Sequence, residues 1–152
     1  MQKRNDPRVL VIEANDALRA MLFTILRHQP VEVDTAITAE DAWEKVNTCD
    51  YALIVIDMDL PDNTGQVFLN RFGAERSEAT TFILAVRDPA GDDYLDPAVV
   101  AAVLNKPLEL DTMAELVREC SLVVPPPDNP LPCPPAESDI RSRMERTPYI
   151  TN

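Results

Sequence analysis

The stretch YALIVIDMDLPDNTGQVFL (residues 51–69) decides the fold. Five apolar residues, Ala52–Ile56, run straight into Asp57, and a turn made of Pro61, Asp62, Asn63 and Gly65 follows. An unbroken apolar run of this length that stops at turn residues reads as a strand covered on both faces. Taken alone, Asp57 is either a turn-forming cap or a carboxylate held at the tip of a buried strand for use.

Working outward, the same alternation repeats. RVLVIE (8–13), VEVDTAI (31–37), TTFILAV (80–86) and AVLNK (102–106) read as further strands. Between them lie helical patterns. NDALRAMLFTILRHQ places Leu18, Met21, Leu22, Ile25 and Leu26 on one face behind an Asn15 or Asp16 cap. TAEDAWEKVN opens with a capping box, Thr38 and Asp41. GQVFLNRFGAE (65–75) and LELDTMAELVRECSLV (108–123) are the third and last helices, the latter with Leu110, Met113, Leu116, Val117 and Cys120 inward. The order predicts an α/β fold: a (βα)5 chain with a five-stranded parallel sheet, doubly wound by right-handed crossovers. Pro89, Gly91 and Pro97 predict a short or distorted fourth helix before residue 102.

The chain has 152 residues, 45% hydrophobic and 26% charged, as expected of one globular domain with some excess. Residues 1–124 carry 22 acids against 11 bases, a balance of −11, and residues 125–152 carry 4 against 3, a balance of −1. An acidic core argues against nucleic acid or an anionic membrane as a partner, since both need clustered Lys and Arg. No signal peptide or membrane span is evident. Cys49, Cys120 and Cys133 are odd in number and widely spaced. They predict no disulfide framework and no zinc site, in keeping with a reducing cytoplasm.

Functional groups of a doubly wound sheet collect at the carboxyl ends of the strands. Glu13, Asp57 and Lys106 fall at three such ends. Two carboxylates and a lysine suit a hard cation bound beside an anion, and Mg²⁺ is the cation that takes one or two carboxylates and keeps its waters.

These residues resemble the receiver domain of two-component response regulators. VLVIEANDALR is similar to that family's first strand and acidic pair. LIVIDMDLPDNTG is similar to its phosphoacceptor segment, with Pro61 four and Gly65 eight residues after the Asp. VDTAITAEDAWEKV and LNKP resemble its second-strand join and its Lys-Pro. The resemblance spans about residues 7–123. It implies a flavodoxin-like receiver fold in which Asp57 accepts a phosphoryl group from a histidine kinase or phosphotransfer protein. Lys106 would pair with Asp57 and then with the phosphoryl oxygens. Mg²⁺ would be held by Glu13, by Asp57 and by the backbone carbonyl of Asp59. The only catalysis implied is self-phosphorylation and loss of the phosphoryl group.

Three positions depart from the family pattern. Ala14 stands where the second acid of the pair would ligate the metal, which weakens the Mg²⁺ site. Val86 replaces the Ser or Thr that bonds the phosphoryl group, and Val103 replaces the aromatic switch residue. A hydrogen bond to a charged group is worth about 1.5–3 kcal/mol, whereas reversing a 1:99 equilibrium takes about 5.5 kcal/mol, so Val86 forfeits a large part of the switching energy.

PPPDNPLPCPP (125–135) has 7 prolines in 11 residues and is expected to be an extended linker. Its Pro-x-x-Pro spacing also suits an aromatic groove. Residues 137–152 form a tail, either disordered or with one helix near 137–146, whose RSRMER run could dock on the acidic core. The sequence therefore divides into a receiver-like domain (1–124), a Pro-rich linker (125–136) and the tail (137–152). His28 reads as a helix-end residue and Trp43 as packing. An enzyme on the same layout is disfavoured, with no Gly-rich phosphate loop after the first strand and no Ser-His-Asp or Cys-His set. The expectation is an atypical stand-alone receiver in phosphorelay signalling that acts on a downstream protein target, with a homodimer open. The alternative is a phosphorylation-independent pseudo-receiver, an interaction or dimerisation scaffold.

Overall fold

A computed structural model describes residues 6–76 and 79–146. Five strands form one parallel sheet: β1 (Arg8–Ile12), β2 (Glu32–Ala36), β3 (Leu53–Asp57), β4 (Phe82–Arg87) and β5 (Ala102–Asn105). Their order across the sheet is β2-β1-β3-β4-β5, so the order in which strands are added reverses between β1 and β3, with every strand parallel. Alternation of side chains sorts the sheet residues into two cores. Leu10, Ile12, Ile54, Ile56 and Ile83 face α2 (Ala39–Thr48) and α3 (Thr64–Glu75), where Val46, Phe68 and Phe72 meet them. Val9, Val11, Leu53, Val55 and Leu84 face α1 (Asp16–Leu26) and α4 (Leu110–Val123), where Leu22, Leu26, Met113 and Val117 meet them. The predicted double winding is present.

Local chemistry starts the helices. Asn15 Oδ1 accepts from Leu18 N–H at 2.9 Å and caps α1. Thr38 Oγ1 accepts from Asp41 N–H at 3.0 Å and caps α2. The reciprocal half of that capping box shifts by one residue, because Asp41 accepts from Ile37 N–H at 3.3 Å.

Three expectations are corrected. The crossover from β4 to β5 (residues 88–101) contains no helix at all, rather than a short one. Asp88 and Asp96 turn the chain instead, accepting from Ala90 and Ala98 N–H, each at 2.9 Å. Pro89 and Pro97 directly after each Asp disfavour helical backbone there. Leu95, Val99 and Val100 still fill the layer that a helix would cover. The second concerns β5, read as a strand like the other apolar runs: its residues alternate between half-buried and exposed, at one edge of the sheet. The third concerns the cysteines. Cys49 and Cys133 form a disulfide across 84 residues, with Cα atoms 4.8 Å apart, and Cys120 is the free thiol.

That disulfide ties the Pro-rich segment, through Cys133, to Cys49 at the end of α2, and the segment runs back along the core. Leu131 N–H donates to Asp50 Oδ2 at 2.7 Å, and Arg8 donates to the Pro134 carbonyl at 2.5 Å. The tail then forms α5 (Glu137–Arg146) against the outer edge of β2, while residues 147–152 lie outside the described residues. Self-docking of the tail is therefore real, but its contacts differ from the basic-run expectation. They are made largely by Glu137, Ser138 and Glu145, on Thr35, Val33 and Arg27.

Beneath α5 sits a buried polar network. Arg8 donates to Asp34 Oδ2 through Nε at 2.7 Å, with Nη2 also at 2.7 Å. The Tyr51 hydroxyl donates to the same oxygen at 2.7 Å. Burial pushes the Tyr51 hydroxyl strongly up, and the Asp34 charge adds to it.

Candidate functional site

The reversal of strand order between β1 and β3 opens a crevice at their carboxyl ends. Ile12 pairs with Ile56, which sets Glu13 beside Asp57 at the tips. Both acids are nearly inaccessible, at 4% and 5% exposure. Glu13 continues the ladder past β1 by donating its N–H to the Ala36 carbonyl at 3.0 Å. Its carboxylate accepts from Asn15 N–H at 3.0 Å. Asp57 accepts from Asp59 N–H at 2.9 Å. Lys106 follows β5, its own N–H on the Arg87 carbonyl, and its ammonium lies 2.9 Å from Asp57 Oδ1 and 2.9 Å from Asp59 Oδ2. Glu13, Asp57, Asp59 and Lys106 are thus brought into one cleft, together with Ala14, Asp88 and Pro107.

The turn that follows Asp57 needs unusual backbone. Asp62 and Asn63 both take left-handed φ, 59° and 58°. Asp and Asn tolerate this region better than other non-glycine residues, so the turn residues after Pro61 are matched to their geometry. This turn leads into α3 and frames one wall of the cleft through Pro61.

Burial drives the Glu13 carboxyl up to about 7, and the neighbouring Asp57 adds to the rise; Asn15 N–H and Lys106 act the other way. Burial works to lower the Lys106 ammonium, but the hydrogen bonds and charges of Asp57 and Asp59 outweigh it and hold the group above its ordinary value. Two carboxylates side by side with one shared lysine leave an excess of negative charge whenever Glu13 is ionised. A cation in the cleft relieves that excess. Among the described residues no three His, Cys, Asp or Glu side chains converge as a metal cluster. The pair Glu13 and Asp57 is the donor set that could hold a cation, and it suits Mg²⁺, which needs only one or two carboxylates and retains water.

The positions that depart from the family pattern also have clear places. Val86 is buried directly across the ladder from Asp57 and brings no donor to it. Ala14 lines the cleft without an oxygen side chain. Val103 lies on β5 at 40% exposure, away from both cores.

One residue of the site was missed in the sequence. Arg19 donates to the Glu13 carbonyl at 3.0 Å and to Asp16 at 2.6 Å, bracing the loop that carries Glu13. Its only sequence signal is the Asp16/Arg19 spacing of three on a helix. Trp43 packs edge-on to Phe68 at 6.1 Å, with Arg71 stacked 4.0 Å over its ring, as the packing expectation held.

A doubly wound α/β sheet with an acid pair and a lysine at its reversal point defines a class of signalling domain, and comparison with known proteins identifies it. The chain belongs to the response regulator receiver domain family, whose family model matches residues 9–118. It is 30% identical over 113 residues to the transcriptional regulatory protein PmrA of Pectobacterium parmentieri, covering 73% of this chain and 50% of that protein. It is 28% identical over 112 residues to the transcriptional regulatory protein BasR of Escherichia coli K12, again covering 73% and 50%. The chain thus spans about half the length of the curated relatives it matches. Among solved structures, a CheY-like receiver domain from Methanospirillum hungatei superposes with a TM-score of 0.66 at 23% identity, over 77% of this chain and 94% of that one. The response regulator TrrA from Thermotoga maritima, solved with Mg²⁺ and BeF, gives 0.65 at 21% identity, over 75% and 98%. Receiver domains of this kind serve two-component signalling through kinases and downstream effectors.

Proposed function

We propose that this receiver accepts a phosphoryl group on Asp57 from a phosphohistidine of a partner kinase or phosphotransfer protein, and acts through contacts with a downstream protein. The observation that supports it is the Lys106–Asp57 ion pair set beside Glu13 at the sheet's reversal point. In the transfer, an Asp57 carboxylate oxygen attacks phosphorus, the P–N bond breaks, and the imidazole leaves with its electron pair. Lys106 is placed to follow the charge from the carboxylate to the phosphoryl oxygens. Glu13 and Asp57, with the Asp59 carbonyl, would hold Mg²⁺. When bound, that ion neutralises charge on the transferring group. The protein's own chemistry is limited to taking up and losing this group. The relatives that support the reading are transcriptional regulators, and in a cytoplasmic setting the same contacts would be available to a kinase. No described helix is long and apolar enough to cross a membrane.

Val86 makes the conformational response weaker than a hydroxyl residue would allow, because it has no donor for the phosphoryl oxygen. The test is intact-mass and Phos-tag analysis after exposure to acetyl phosphate with Mg²⁺, with Asp57→Asn as control. One phosphoryl adduct, absent in the control and in EDTA, is expected. No Asp57-dependent adduct from acetyl phosphate or from a competent kinase overturns the proposal.

A further inference from the structure

The outer edge of β2 is covered by polar groups of α5 rather than by a strand. As the first strand of the sheet order, β2 has N–H groups on one side that no neighbouring strand can accept. Val33 N–H donates to Ser138 Oγ at 2.8 Å, and Thr35 N–H to Glu137 Oε1 at 2.9 Å. Thr35 Oγ1 donates to Glu137 Oε2 at 2.9 Å, and Glu137 N–H returns a bond to Asp34 Oδ1 at 2.9 Å. Side chains of the first turn of α5 thereby mimic the missing strand.

This cover has little apolar glue. Ala136 and Ser138 are buried, but the two large apolar residues of α5, Ile140 and Met144, stay 46% and 69% exposed. Further ties are again polar or cationic: the Arg27–Glu145 pair at 2.9 Å, Lys45 to Glu137 at 3.7 Å, and Arg141 over the Phe23 ring at 5.8 Å. Water can replace nearly all of these polar contacts, so they hold the helix weakly unless it is kept nearby. The covalent tie that keeps it nearby is Cys49–Cys133, four residues before Glu137.

We propose that Cys49–Cys133 is a redox latch: when formed it holds α5 as a cap on β2, and when a dithiol reduces it the cap leaves and bares that sheet edge. The two halves of the bond are placed unequally for this. Cys49 is buried at the end of α2, whereas Cys133 is exposed on the Pro-rich arm. A thiolate of the dithiol attacks the exposed Cys133 sulfur, the S–S bond breaks, and Cys49 leaves as a thiolate that takes up a proton. The second thiol of the reductant then displaces Cys133 from the mixed disulfide. The dithiol is oxidised to its own disulfide as two electrons pass to the protein. In a reducing compartment the edge is open, and oxidation closes it.

The core tolerates loss of the cap. Asp34 keeps its bonds from Arg8 and Tyr51 after Glu137 departs. Val33 and Thr35 N–H turn to water, or to an extended segment added along the edge.

The test is amide hydrogen exchange on the full chain, oxidised and then reduced with dithiothreitol, with intact mass confirming the cysteine state. Exchange at Val33 and Thr35 is expected to quicken on the order of ten-fold on reduction, while Ile54 and Val55 in β3 do not change. Cys133→Ser, which leaves the buried Cys49 in place, should behave as the reduced protein without any reductant. Unchanged protection of Val33 and Thr35 after full reduction, or in Cys133→Ser, overturns the latch. Equal loss of protection in β3 also overturns it, since the bond would then be a staple of the whole fold. So does recovery of three free thiols after mild oxidation.

Discussion

Lys106 joins two acids across the site: its ammonium is 2.9 Å from Asp57 Oδ1 and 2.9 Å from Asp59 Oδ2. It is the cation that makes two crowded carboxylates at the end of β3 tolerable. Lys106→Ala removes it and leaves Asp57 buried beside Glu13. The cost should be about 1.5–3 kcal/mol of stability above neutral pH, where Glu13 is ionised, and less at acid pH, where Glu13 holds a proton. Urea unfolding at two pH values measures the difference, and an equal cost at both would show that lost packing rather than charge is responsible.

Glu13 makes stability depend on pH. Its carboxyl is held near 7 in the fold against an ordinary value of 4.5. Between those values the native state binds more protons than the unfolded chain, so stability falls as pH rises through this window. The loss is on the order of 3 kcal/mol. Glu13→Gln should flatten the profile over that range and be more stable than the parent above about pH 7. Asp57→Asn should lower the Glu13 midpoint only in part, because burial is the larger cause. Carbon-detected NMR titration of the Glu13 carboxyl reads both effects.

Magnesium acts on the same pair. Added Mg²⁺ should raise the melting temperature at neutral pH by binding the native state alone. The gain should shrink at acid pH, where Glu13 holds a proton, and in Glu13→Gln. An undiminished gain in that variant would place the ion elsewhere.

The Arg8–Asp34–Tyr51 network under α5 carries a buried charge pair. Asp34→Ala leaves the Arg8 guanidinium without its partner and should cost about 3–5 kcal/mol, as removal of one member of a buried pair does. Tyr51→Phe removes one hydrogen bond to a charged acceptor and should cost about 1.5–3 kcal/mol. Chemical denaturation of the two variants separates these sizes, and a cost for Asp34→Ala no larger than that for Tyr51→Phe would contradict the ordering.

Gly73 marks where the helix-free crossover presses on α3. A Cβ there would sit 2.7 Å from Val99 Cγ2. Gly73→Ala should therefore destabilise by about 1–3 kcal/mol despite alanine's better helix propensity. The double variant Gly73→Ala/Val99→Ala should be less destabilised than the sum of its singles, and simple additivity would refute the contact.

Much of this was legible in the sequence because it depends on local pattern. The runs at residues 8–13, 31–37, 51–57, 80–86 and 102–106 gave the strands, since side-chain alternation and turn residues are short-range properties. Asp57, Glu13 and Lys106 could be paired in advance because a parallel α/β sheet gathers strand ends at one edge. Thr38 and Asn15 announced their helices by the donors they cap.

What the tertiary structure alone decided involves long sequence separations or absent partners. Cys49 meets Cys133 because the Pro-rich arm folds back along the core, and no spacing rule reports that return. Asp34 looks like one polar member of an alternating strand, yet Arg8 and Tyr51 bury it. Glu137 and Ser138 look like an ordinary helix start, yet they complete the edge of β2. The rise of Glu13 to about 7 likewise needs the burial and the nearby Asp57 that only the assembled sheet supplies. Local periodicity determines elements and their order. Burial, charge pairing and edge closure depend on which distant groups finally meet.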